Sequence, residues 1–267
     1  MTSRHKLGPT DDPHLLYQEA VQSPEVDARL IDRHFKKLTG RPAKAFREDF
    51  CGTALLACAW VALGPDRKAV GIDLDRPTLA WGRQNNLSRL SDDERRRIDL
   101  VRADVRKVSQ PKVDVVAALN FSYCVFKTRH DMLDYVKNAR LSLKPGGMLF
   151  MDVWGGSESQ TEHRDRTRRR GFTYVWEQRS FDPISFHADC RIHFEFTDGR
   201  KRRNAFTYDW RLWTLPELRD ILEEAGFKDI HVLWETSDRN GRGTGVFRRA
   251  ERTAAEKSWI AWVVGRT

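Results

Sequence analysis

The chain has 267 residues, of which 40% are hydrophobic and 32% are charged, so it can bury a core as one large α/β domain or as one domain with an inserted segment. Its formal net charge of +9 is compatible with nucleic acid or other anionic partners, but charge describes a binding tendency and not a fold. The four cysteines include no CxxC pair and no histidine at metal-ligand spacing, which predicts a reduced, cytoplasmic protein without a metal site. Because there is no apolar signal segment and no apolar run long enough to span a membrane, we expect a soluble protein.

Two helices are predicted near the N-terminus. Apolar residues recur at helical spacing over 14–38, and Ser23-Pro24 interrupts the pattern. Ser23 is the predicted N-cap of the second helix, and the Gly-Arg-Pro sequence at 40–42 ends it. We interpret residues 1–40 as an N-terminal helical lid segment and residues 41–267 as the main domain.

A strand, a tight turn and a helix are predicted next. The sequence Phe46–Ala54 reads as the strand and the turn, and the apolar run 55–63 reads as the helix. A second apolar strand, 68–74, carries Asp73 near its end. Doubly wound folds bind a ribose with a carboxylate at the tip of the second strand, and the helix N-terminus offers backbone N–H groups to a polar ligand. This unit therefore predicts a nucleoside site.

The alternation of strands and helices continues. A third strand, 98–103, leads to Asp104-Val105, and a nearly continuous apolar strand, 113–119, leads to the sequence Asn-Phe-Ser-Tyr at 120–123. A helix follows and is stopped by Leu-Lys-Pro-Gly-Gly at 143–147, before a fifth strand over 148–154. Four or five strands that alternate with helices predict a parallel sheet with right-handed crossovers.

The pattern changes after residue 156. The polar stretch 157–171 contains the Arg164–Arg170 cluster, interpreted as a solvated loop, with a phosphate-binding surface as the alternative. Period-two segments then predict three antiparallel strands, and their aromatic residues are mainly core residues that could also wall an acceptor pocket. We interpret about 157–213 as this inserted antiparallel segment.

The last part of the chain predicts one helix and two strands. Thr214 and Glu217 form a capping box that begins the helix, strands are expected at 230–234 and about 259–264, and a polar Gly-rich loop is expected at 237–245.

From Tyr17 onward the chain resembles a class I S-adenosylmethionine-dependent methyltransferase. The first motif of that family is a strand that ends in an acid, followed by Gly-x-Gly-x-Gly. Glu48 matches the acid, and Phe50, Gly52 and Ala54 match the three glycines, so only one glycine is kept.

The order of the later motifs is the stronger part of the resemblance. Asp73 matches the acid that takes the ribose hydroxyls, and Asp104-Val105 matches the acid–apolar pair beside the adenine. The turn at 143–147 matches the turn before the fifth strand, and 213–227 looks like the late helix of the family.

The resemblance implies a Rossmann-like, doubly wound seven-stranded sheet whose last strand is antiparallel, with S-adenosyl-L-methionine as cofactor. It also implies methyl transfer by in-line displacement, a reaction that needs little from the protein beyond placing the nucleophile near an activated methyl group. In this interpretation 41–267 is the methyltransferase domain, with 1–40 and the inserted 157–213 segment as lids.

The resemblance and the strand-end positions together predict the site. Asn120 and Tyr123 are the predicted catalytic residues, since the loop after the fourth strand faces the transferred methyl group. Cys51 is expected to be a small buried turn residue, not a nucleophile, whose backbone faces the ligand. The predicted cofactor-binding residues are Tyr17, Glu48, Cys51, Gly52, Thr53, Asp73, Leu74, Asp104, Val105 and Asn120.

Three functions are considered for a chain with this predicted fold. The leading prediction is methylation of a small-molecule acceptor, with an amine favoured because Asn120 and Tyr123 could orient a nitrogen. The alternative is an RNA or protein methyltransferase, suggested by the +9 charge and the Arg164–Arg170 cluster. A nicotinamide-dependent oxidoreductase is disfavoured because G-x-G-x-x-G is missing from the first turn. The sequence indicates neither the oligomeric state nor a membrane partner.

Overall fold

A computed structural model describes residues 11–239 and 243–267. The described residues form two compact units. The smaller unit consists of residues 11–22 and Ser157–Leu212, and the larger unit consists of Ser23–Gly156 and Trp213–Thr267. The two predicted N-terminal helices therefore belong to different units.

The larger unit alternates strands and helices, as predicted. Its helices are α2 (Pro24–Thr39), α3 (Leu55–Val61), α4 (Arg76–Asn85), α5 (Asp92–Arg95), α6 (Arg129–Ser142) and α7 (Leu215–Glu224). Its strands are β1 (Ala45–Asp49), β2 (Lys68–Asp73), β3 (Ile98–Arg102), β4 (Val113–Ala118), β5 (Leu143–Gly155), β10 (Lys228–Ser237), β11 (Gly243–Ala250) and β12 (Trp259–Arg266).

These strands form one sheet in the order β11-β10-β12-β5-β4-β1-β2-β3. Strands β1 to β5 pair in parallel, and the last strand, β12, pairs antiparallel with both β5 and β10. The predicted doubly wound sheet with an antiparallel last strand is thus confirmed. The predicted strand number is wrong, because the described residues contribute eight strands. The additional strand, β11, begins at the end of the expected loop 237–245, extends to Ala250 and pairs antiparallel with β10.

Neighbouring residues of a strand point to opposite sides of the sheet, and helices pack on both sides. On one side Phe46 of β1 stacks on Trp60 of α3, with ring centroids 4.7 Å apart. On the other side the next residue, Arg47, donates to the hydroxyl of Ser142 in α6. The strand β4 is buried throughout, as a central parallel strand requires. The carboxyl ends of β1 to β5 therefore meet at one edge of a covered sheet.

The smaller unit is a four-stranded antiparallel sheet with one helix. Helix α1 (Pro13–Val21) buries Leu16 and Ala20 against an aromatic core that includes Phe172 and Phe194. The strands, in the sheet order β6-β7-β8-β9, are β6 (His163–Arg169), β7 (Phe172–Asp182), β8 (His187–Phe196) and β9 (Lys201–Arg211).

Most of the Arg164–Arg170 cluster is not a loop, and this part of the interpretation is wrong. Residues Arg164–Arg169 lie in β6, an edge strand, and their side chains are exposed, as the sequence had suggested. Charged side chains on an edge strand discourage pairing with another sheet, which gives this strand a physical reason to be so basic. Among the described residues no helix is long and apolar enough to cross a membrane.

Candidate active site

The turn after β1 has an unusual backbone. Phe50, Gly52 and Ala54 have φ angles of 56°, 51° and 59°, so all three positions where the family resemblance expects glycine adopt the left-handed conformation. Two of them carry a side chain, which is unfavourable in that conformation. The turn is held by a hydrogen bond from the Cys51 N–H to the Ile72 carbonyl (3.0 Å) and by one from the Ala54 N–H to the Cys51 carbonyl (2.7 Å).

The side chain of Phe50 compensates for this strain by packing. Its ring lies 5.8 Å from the Phe126 ring and 5.6 Å from the Tyr135 ring, measured between centroids. Aromatic pairs at such separations contribute favourably beyond the area that they bury. Packing against α6 and the loop that precedes it thus stabilises a backbone conformation that glycine would adopt without such support.

Asp73 joins the end of β2 to this turn. Its Oδ2 accepts a hydrogen bond from the Gly52 N–H (2.7 Å), and its Oδ1 accepts one from the Asp75 N–H (2.9 Å). A carboxylate oxygen can accept more than one hydrogen bond, so capacity remains for a ligand hydroxyl. The next residue, Leu74, is 64% exposed and offers an apolar surface beside the acid.

Glu48 is buried and faces the start of α3. Its Oε2 accepts a hydrogen bond from the Ala57 N–H (2.9 Å) in the first turn of that helix. Burial, together with the neighbouring Asp73 and Asp49 carboxylates, raises the pKa of Glu48 to about 8. The carboxyl group therefore supports the helix that begins after the turn.

The remaining residues of the first turn are also largely buried. Burial raises the pKa of the Cys51 thiol well above its ordinary value, so the thiol is a poor nucleophile. The carbonyl of Thr53 accepts a hydrogen bond from Asn86 Nδ2 (2.9 Å). These contacts fix the turn, so that its backbone, and not its side chains, is the part that can contact a ligand.

Asp104 and Val105 follow β3 at the same edge of the sheet. Arg106 pairs with Asp104 (Nη2–Oδ2 2.8 Å) and with Asp131 (Nη1–Oδ1 2.7 Å), and its guanidinium lowers the pKa of Asp104. The Val105 side chain is buried, and its carbonyl accepts hydrogen bonds from Arg47 (2.9 Å) and Asn138 (2.6 Å).

The predicted catalytic residues differ in accessibility. Asn120 follows β4, has a φ of 58° and is half-buried. Tyr123 is only 1% exposed, and its hydroxyl donates to the main-chain carbonyl of Asp152 at 2.5 Å. Burial raises the pKa of Tyr123 well above its ordinary value. The Tyr123 hydroxyl is thus occupied by the backbone, and a catalytic role for Tyr123 stays a prediction.

Tyr17 lies in α1, within the smaller unit. Its ring packs on Phe206 of β9, with centroids 5.0 Å apart. The other predicted residues, from Glu48 to Asn120, lie at or just after the carboxyl ends of β1, β2, β3 and β4 in the larger unit.

Three charged residues at or beside this edge had not been predicted. Asp152 interrupts an apolar stretch of β5, and that interruption is the sequence signal that could have identified it. Arg47 stands beside Glu48 and Asp49 in β1 and carries no such signal. Asp27, in the first turn of α2, interacts electrostatically with Glu48 and Asp152, and burial raises its pKa to about 7. Among the described residues, no group of histidine, cysteine and acidic side chains is arranged to hold a metal ion.

Solved structures with the same fold are known. A S-adenosylmethionine-dependent methyltransferase from Clostridium acetobutylicum has a TM-score of 0.69 at 14% identity, with 95% of this chain and 96% of that chain covered. The amino pentose methyltransferase CalS10 from Micromonospora echinaspora, solved with S-adenosylmethionine bound, has a TM-score of 0.67 at 18% identity, with 98% and 100% covered. The sugar N-methyltransferase KedS8 from a Streptoalloteichus species has a TM-score of 0.63 at 19% identity, with 100% and 96% covered. No curated protein matches the sequence.

The sheet order, with an acid at the end of the second strand, defines a Rossmann-like fold. Residues 51–149 match the family model described as a methyltransferase domain. The domain match and the shared fold support a class I S-adenosylmethionine-dependent methyltransferase.

The residues at the edge of the sheet fit this cofactor chemically. Asp73 has free acceptor capacity for ribose hydroxyls, and the exposed Leu74 offers an apolar face to an adenine ring. The carboxyl groups of Glu48, Asp27 and Asp152 favour a cationic sulfonium once they are ionised.

Proposed function

We propose that the protein methylates an amine on a small molecule. The observation that carries the cofactor part of this proposal is the hydrogen bond from the Gly52 N–H to Asp73, which brings the acid proposed to bind the ribose next to the turn after β1. The residues of the larger unit that we propose to hold the cofactor are Glu48, Cys51, Gly52, Thr53, Asp73, Leu74, Asp104, Val105 and Asn120.

S-Adenosylmethionine supplies an activated methyl group on a positively charged sulfur. The lone pair of the acceptor nitrogen forms the new N–C bond as the S–C bond breaks, the electrons of that bond stay on sulfur, and the nitrogen loses a proton. The chain's own part is to orient the acceptor and to receive or pass on that proton. Asn120 can orient a nitrogen through its side-chain amide. Asp27, half-buried and with a pKa of about 7, is the proposed proton acceptor.

Two observations support a small amine. First, Asp27 interacts electrostatically with Glu48 and with Asp152 in the larger unit. An acidic environment of this kind attracts a cationic amine more than an anionic polymer. Second, CalS10 and KedS8 are described as an amino pentose and a sugar N-methyltransferase, and they share this fold.

An RNA acceptor is the second candidate, because β6 presents a row of exposed arginines. Binding through such a row would be strongly weakened by salt. The absence of RNA binding at low salt would remove this candidate.

The acceptor class is tested by incubating the protein with methyl-labelled S-adenosylmethionine and a fractionated cell extract. The expected result is label in the small-molecule fraction, with Asp73→Ala giving only background. Label in RNA or in protein would contradict the proposed acceptor while leaving the proposed cofactor site intact.

A further inference from the structure

The loop after β4 contains two strained residues in succession. Asn120 and Phe121 have φ angles of 58° and 55°, and neither is glycine. The left-handed conformation is unfavourable for a residue with a side chain, more so for Phe than for Asn, and such residues persist only where the surrounding structure enforces them. This pair therefore needs a specific support.

Asp152 of β5 is that support. Its Oδ2 accepts a hydrogen bond from the Asn120 N–H (2.7 Å), and its Oδ1 accepts one from the Phe121 N–H (2.9 Å). The main-chain carbonyl of the same residue accepts the Tyr123 hydroxyl at 2.5 Å, so Asp152 holds the loop at three points.

The arrangement is poorly explained by stability alone. Asp152 is 8% exposed and has no cationic partner among the described ion pairs, and burial raises its pKa to about 7, which shows how unfavourable the charge is there. A strained turn and a buried carboxylate both reduce stability, and such combinations concentrate at functional sites.

We propose that Asp152 is a positioning residue for methyl transfer, which holds the Asn120–Phe121 turn so that Asn120 faces the position of the transferred methyl group. The inference rests on the proposed function, because that function places the loop beside the methyl group. A neutral amide at position 152 keeps the shape of the side chain, but its NH₂ group cannot accept the second backbone hydrogen bond.

Two ligands test the proposal without a known acceptor. S-Adenosylhomocysteine lacks the methyl group, whereas sinefungin carries an amine on the carbon that replaces the methylated sulfur, so the amine probes the space near the methyl position. For Asp152→Asn we expect sinefungin to bind about tenfold or more weakly, a change of about 1.4 kcal/mol, while S-adenosylhomocysteine weakens less than about threefold. Isothermal titration calorimetry measures both dissociation constants.

Asp114→Asn is the matched control. Asp114 is a buried carboxylate in β4 whose Oδ2 accepts two backbone N–H groups, from Lys44 and Ala45, both at 2.9 Å. Unlike Asp152 it also pairs with two cations, Arg41 and Lys144. It lies at the start of that strand, away from the carboxyl edge. The same chemical change there should reduce stability without altering the ratio of the two dissociation constants.

The possible results distinguish a failure of the proposed function from a failure of the role proposed for Asp152. If the wild type binds neither ligand, the proposed function fails. If it binds both and Asp152→Asn weakens them equally, or not at all, only the role of Asp152 is refuted. Should Asp152→Asn not fold, Asp152→Glu keeps both carboxylate oxygens but displaces them by one methylene group, and it must also weaken sinefungin selectively for the proposal to stand.

Discussion

Arg47 and Asp49 form an ion pair inside the sheet, with 2.6 Å between Nε and Oδ1 and side-chain exposures of 2% and 0%. The guanidinium of Arg47 also donates to the carbonyls of Val105 and Val108. One buried side chain of β1 thus fastens the loop that carries Asp104 and Val105.

Replacing Arg47 with methionine should destabilise the protein by about 3 to 5 kcal/mol, because within the described part of the chain Asp49 is left buried with the Tyr135 hydroxyl as its one side-chain partner. Urea unfolding measures the change. The double variant Arg47→Met/Asp49→Leu removes both charges and should recover part of the loss. A double variant less stable than Arg47→Met would contradict this explanation.

Two glycine substitutions in the first turn should have different effects. Ala54→Gly relieves a left-handed alanine at the expense of one methyl group, so we expect stability within about 1 kcal/mol of the wild type. Phe50→Gly loses the packing on Phe126 and Tyr135 and should cost about 3 kcal/mol or more. Equal effects in thermal or urea unfolding would show that the Phe50 ring does not support the turn.

Glu48 should make the protein less stable at high pH. Its pKa is about 8 in the native state against an ordinary value of 4.5, so the native state binds more protons between these values and stability falls as the pH rises through them. Between pH 6 and pH 8 the loss should be about 2 kcal/mol. Glu48→Gln keeps an acceptor for the Ala57 N–H, and its unfolding free energy should fall less over the same range. Parallel pH profiles for the two proteins would argue against the raised pKa.

His34 should make the protein less stable at low pH. Its Nε2 lies 2.7 Å from Nε2 of His231, and burial, followed by His231, lowers the pKa of His34 to about 4. Lys37 and Arg249 also disfavour its protonation, whereas Asp229 favours it. The unfolded chain therefore binds more protons between pH 4 and pH 6.5, and acidification through this window should lower stability by about 1 to 2 kcal/mol. His34→Gln should flatten the dependence; an unchanged slope in urea unfolding would exclude His34 as its source.

Much of the larger unit follows from local sequence signals. The apolar strands, the stop at 143–147 and the capping box of Thr214 and Glu217 act within a few residues of the chain, so a single sequence reveals them. Asp73 was predicted from its place at the end of an apolar strand, and the structure locates it beside the first turn.

Other features depend on partners that are distant in sequence. The burial of Arg47 requires Val105 and Ser142, and the part played by Asp152 requires a loop 31 residues earlier in the chain. Strand β11 was missed because a polar, Gly-rich sequence has little strand propensity, and pairing with β10 overrides it. Tyr123 carries no local sign of burial, since its hydroxyl partner belongs to β5.

The proposed cofactor site lies at the carboxyl edge of the sheet, with the ribose on Asp73. Calorimetry of S-adenosylhomocysteine binding to the wild type, Asp73→Ala and Asp99→Ala tests it most directly, because Asp99 is an exposed acid of β3 that serves as a control. We predict measurable binding to the wild type and to Asp99→Ala, and binding weaker by about tenfold to a hundredfold for Asp73→Ala. Equal affinity of Asp73→Ala and the wild type would contradict the claim.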